Sequence, residues 1–112
     1  MVRKLSTTGS QTVEAFQAGS SYETVAASQT DQVIGATGAV GDYLASLVIV
    51  VSTAATAQVS IKDGSTSITV FPNSPGNGIG TYVIPLGLFS VSGAWSVTTG
   101  AGSAVIATGK FT

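Results

Sequence analysis

Asp42 and Asp63 flank the most apolar stretch of this chain, and two carboxylates so placed could share a hard cation or divide acid and base work. Their surroundings argue against both uses. Calcium takes about six to eight oxygens from a loop of alternating acids. Here Lys62 adjoins Asp63 and no such loop exists. Paired-carboxylate hydrolysis needs two acids roughly 5–10 Å apart in a cleft. Glu14, Glu23 and Asp31 are the remaining acids, and nothing in their spacing singles out a pair. Asp63-Gly64 reads instead as a turn dipeptide, because Gly accepts positive φ and Asp can bond its own backbone.

Other chemistry is excluded by residue type. The chain has no Cys and no His. That removes disulfides, thiol nucleophiles, Cys or His metal sites and every Ser-His or Cys-His relay. The Ser hydroxyls therefore lack a base. Gly35, Gly38 and Gly41 follow GxxGxxG spacing. A dinucleotide site needs GxGxxG between a strand and a helix, and no helix follows, so these glycines read as a loop. No catalytic residue, cofactor or metal is expected, and the chain is not expected to be an enzyme.

Trp95 is the single tryptophan and shares a strand face with Val97. It reads as a core or interface aromatic, with sugar stacking as the alternative. Arg3 and Lys4 form a candidate contact arm for an acidic neighbour; a frayed terminus is the competing reading.

Only nine of 112 residues carry formal charge, four basic and five acidic, for a net charge of -1. Four basic residues are too few to track a phosphate backbone, so nucleic acid is not an expected partner. The 44% hydrophobic content and small net charge argue against disorder. A folded monomer of this size exposes on the order of 5,600 Å², or about one charge per 600 Å². Soluble monomers normally intersperse more ions, so much of this surface is expected to be covered by other subunits. The fifteen Ser and fifteen Thr could instead keep a monomer soluble. No charge falls between residues 64 and 109.

The elements that must position these residues are strands. Residues 1–11 read as an N-terminal arm, and 12–112 as one β domain, with 12–16 a candidate short strand. Further strands are expected at 22–26, 31–34, 43–51, 58–62, 67–71, 81–84, 87–91, 94–98 and 104–107, separated by turn signals. Within them Val59 and Ile61 share one face, Ile68 and Val70 another, with Thr69 and Phe71 opposite. Pro85 should stop or bulge its strand or lie at an edge. No segment sustains a 3.6-residue apolar repeat. This predicts an all-β antiparallel sandwich, jelly-roll-like, with an immunoglobulin-like sandwich as the alternative.

The uncharged window 43–61 is not expected to span a membrane. Its continuous apolar core is only residues 47–51, and β-branched residues there suit a buried strand. Polar residues 6–12 leave no apolar stretch for a secretion signal.

Several short words, Gly41-Asp42-Tyr43-Leu44, Val59-Ser60-Ile61-Lys62-Asp63-Gly64, Ile68-Thr69-Val70-Phe71, Ile84-Pro85-Leu86-Gly87, Ser92-Gly93-Ala94-Trp95 and Val105-Ile106-Ala107, together resemble small virion proteins of tailed bacteriophages. Residues 1–40 carry none of this. The resemblance is to capsid decoration (cement) or head-surface proteins, with a head-fibre or tail role as the alternative. It implies a β-sandwich that binds the major capsid protein and copies of itself, as a dimer or trimer. It also implies a place on the capsid surface of the virion after synthesis in the host cytoplasm. It supplies no catalytic residues.

Overall fold

The computed structural model describes residues 21–72 and 78–112. Arg3, Lys4, the proposed arm and the candidate strand at 12–16 lie outside them. The described residues form eight strands: β1 (Ser21–Val25), β2 (Gln32–Val33), β3 (Tyr43–Val51), β4 (Val59–Asp63), β5 (Thr66–Phe71), β6 (Gly80–Phe89), β7 (Trp95–Thr99) and β8 (Ser103–Lys110), with one 3₁₀ turn at Ala54–Thr56.

The pairing has one simple rule. β1 pairs with β8, β2 with β7, β3 with β6 and β4 with β5, all antiparallel. The chain is thus one long hairpin. Rolling it brings β8 against β3 and β7 against β4. Two four-stranded sheets result, ordered β1-β8-β3-β6 and β2-β7-β4-β5. This is jelly-roll order. It settles the choice against the immunoglobulin-like alternative, whose sheets join strands in a different sequence.

The core lies between the sheets. Leu44, Leu47, Ile49 and Val51 of β3 face Val59 and Ile61 of β4 and Trp95 and Val97 of β7, all buried. Each such side chain contributes roughly 1.5–3 kcal/mol by leaving water. In β4 the alternation is strict: Val59, Ile61 and Asp63 point in, and Ser60 and Lys62 point out.

Three breaks in alternation shape the sheets, and the last two correct expectations. In β3 the inward positions jump from Leu44 to Leu47, because Ala45 is a bulge. Opposite it, Leu86 and Gly87 of β6 together face Ala45. Gly87 has φ +67, which a bulge residue there needs and glycine supplies. That bulge carries β6 through Pro85, so the two expected strands at 81–84 and 87–91 are one ten-residue strand. It is an edge strand, where a missing N–H is tolerated. A register shift between β4 and β5 likewise inserts Val70 as an extra residue, so Phe71, opposite Val59 and buried, shares the inward face with Ile68, opposite Ile61; Ile68 stays 39% exposed on this edge strand.

Candidate interaction surface

The outward face of the β1-β8-β3-β6 sheet is built from residues that alternate with the core. Directly opposed residues of an antiparallel pair share a face, so the register gives this surface row by row. One row is Thr24, Ile106, Val48 and Val83, each opposite the next across four strands. The rows beside it are Ala104, Val50 and Thr81, and Tyr22, Thr108, Ser46 and Pro85. Lys110, Tyr43 and Phe89 close the end. Tyr22, Val83, Phe89 and Val50 are 72%, 63%, 60% and 41% exposed. Tyr43 and Phe89 stack in tilted fashion with ring centroids 4.8 Å apart. The two central hydroxyls, Ser46 and Thr108, bond each other at 2.6 Å. Lys110 is the single charge among these residues, and no acid joins them.

The other outer face has different chemistry. Ser60, Lys62, Ser67, Thr69, Ser96 and Thr98 project from the β2-β7-β4-β5 sheet. At its margin Lys62 Nζ meets Asp31 Oδ2 at 3.0 Å. This ion pair and the Thr98 hydroxyl hold the Asp31 carboxyl below its usual value, while desolvation opposes them. Nearby, an open depression of about 230 Å³ is lined by Gln58, Ser60, Thr98, Thr99 and Gly100.

The acids considered for chemistry are structural acceptors instead. Asp63 is buried, and its carboxylate accepts the backbone N–H groups of Val91 (3.0 and 3.1 Å), Ser92 (3.0 Å) and Gly93 (3.3 Å). The Ser92 and Val91 amides, with Gly93 after them, hold its carboxyl below the usual value against the opposing effect of desolvation. Gly64 does adopt the left-handed conformation, φ +62, so the turn stands. The carboxylate does not bond its own turn, however; it fixes the loop between β6 and β7. Asp42 is also buried and accepts from Ala39 N, Thr112 N and Thr112 Oγ1. Glu23 accepts from Gly35 N at 2.8 Å and from Gln32 Nε2 at 3.2 Å. Among the described residues no three His, Cys, Asp or Glu converge on a metal position.

Gly35, Gly38 and Gly41 all have positive φ and shape the loop from β2 to β3. No helix among the described residues is long and apolar enough to cross a membrane.

The chain matches no known protein family, curated protein or solved structure.

Trp95 follows the core reading and not the interface or sugar-stacking one. It is 2% exposed, and its indole Nε1 donates to the Asp42 carbonyl at 2.9 Å. The ring is enclosed between the sheets, so it can neither stack on a sugar nor touch a partner. The apolar outer face was missed by sequence reasoning. Its signal was the unbroken run Leu47–Val51: a strand apolar at successive positions is apolar on both faces.

Proposed function

We propose that this chain is a structural virion protein of a tailed phage, a capsid decoration subunit that binds the head shell and bridges coat subunits. The reading gives it no covalent chemistry. One observation carries it: the outer face of the β1-β8-β3-β6 sheet carries an apolar patch around Val48, Val83 and Ile106, and among the described residues nothing covers it. Monomeric proteins rarely expose contiguous apolar patches beyond about 300–600 Å². The phage-like words between Gly41 and Ala107 supply the kind of assembly. Binding only the assembled shell, such a subunit would stabilise it by mass action.

Electron cryomicroscopy of the source particle tests this. The expected result is density for this sandwich on the head shell. A head shell without it overturns the reading. Density at a fibre or tail tip would favour a second function, a carbohydrate-binding module. That alternative has lost Trp95 as its platform, and keeps the exposed ring of Tyr22 and the depression at Gln58, Ser60 and Thr98. A glycan array that gives no binding would sink it.

A further inference from the structure

We infer that the outer face of the β1-β8-β3-β6 sheet docks on the same face of a second copy of this chain, around a two-fold axis running across the strands. The inference rests on the structural-subunit reading for its purpose and names the self-contact within it.

Area comes first. Four strands about 4.8 Å apart and four rows about 6.8 Å apart give a flat footprint of about 500 Å² per copy. Two copies bury about 1,000 Å² before side-chain relief is counted, which meets the lower threshold of about 1,000 Å² for a biological interface. Two such sheets stack about 10 Å apart. Ile106, Val48 and Val83 occupy the middle of the contact, where homodimer interfaces are most apolar.

Charge favours a copy over a foreign subunit. The face carries no acid and one cation, so it offers little electrostatic selectivity for another protein. Lys110 lies at one end of the face. A two-fold axis across the strands sets each Lys110 over the partner's row of Ala104, Val50 and Thr81. The two ammonium groups then lie about 20 Å apart, beyond a screening length of about 8–10 Å. Ser46 Oγ donates to Thr108 Oγ1 and Thr108 Oγ1 to the Ser46 carbonyl at 3.4 Å, so both central hydroxyls enter the contact with their protons met. An isologous contact also closes at two copies and leaves no free patch to propagate. The hydroxyl-rich opposite sheet remains available to a shell.

Sedimentation equilibrium on the full chain tests this, with Val83→Glu on this face and Thr69→Glu on the other. Trp95 emission verifies folding, since the ring is buried. The expected result is a wild-type dimer at micromolar concentration and an unchanged Thr69→Glu dimer. Val83→Glu should weaken association at least tenfold, about the effect of forcing one charge into an apolar contact. Should Val83→Glu fail to fold, Phe89→Ser removes exposed apolar area at the strand end and should weaken association in the same direction. A wild-type monomer overturns the inference. So does a dimer or trimer that survives the face variants. A dimer that depends on this face but is absent from the head shell keeps this inference and sinks the proposed function. A shell-bound monomer does the reverse.

Discussion

Both carboxylate oxygens of Asp63 accept the backbone N–H of Val91, 28 residues further along the chain, at 3.1 and 3.0 Å. With Ser92 and Gly93 also donating, one side chain at the end of β4 fixes the loop that leads into β7. The loop amides favour the ionised form, so the carboxyl in the folded chain sits below the unfolded value of about 3.9.

A group depressed on folding adds stability above its unfolded value, and that stability is lost as pH falls through the folded value. Asp63→Asn should therefore lower the urea midpoint at pH 7 and flatten its fall below about pH 4. Asp31 contributes with the same sign, but its partner is an exposed ammonium, so its share should fade in high salt. Urea midpoints across pH 2–7 at low and high salt separate the two. An Asp63→Asn acid limb as steep as wild type would refute the assignment.

Trp95 links the core to the β3 entry through its bond to the Asp42 carbonyl. Trp95→Phe removes that donor and part of the ring, and should destabilise the fold by about 1–3 kcal/mol. Trp95→Ala leaves a cavity as well and should cost about 3–5 kcal/mol. Denaturant melts followed by circular dichroism measure both. As the single tryptophan, Trp95 should emit to the blue in the folded chain and shift red on unfolding.

Ser103 opens β8 with a buried hydroxyl that has no hydrogen-bond partner among the described residues. An unmet buried hydroxyl is destabilising. Ser103→Ala should then raise stability by about 1 kcal/mol, read as a higher thermal midpoint. A clear loss would mean that the hydroxyl has a partner in solution.

The strands themselves were legible in the sequence, because local patterning sets them. β3 falls where its apolar, β-branched run lies, and β4 alternates as its residues do. Gly64 marks its turn because few other residues accept positive φ there. The low charge, the missing His and Cys and the uncharged block at 64–109 are sequence facts that exclude chemistry without any fold. Tertiary structure decided what depends on register and on distant partners. Bulges at Ala45 and Gly87 and the shift before Ser60 reverse which residues face inward, and period-two reading cannot see an inserted residue. Asp63 finds its donors about thirty residues away, so no local window could assign them. Trp95 is hidden because a second sheet closes over it. Val48, Val83 and Ile106 form one patch only because three strands distant in sequence lie side by side.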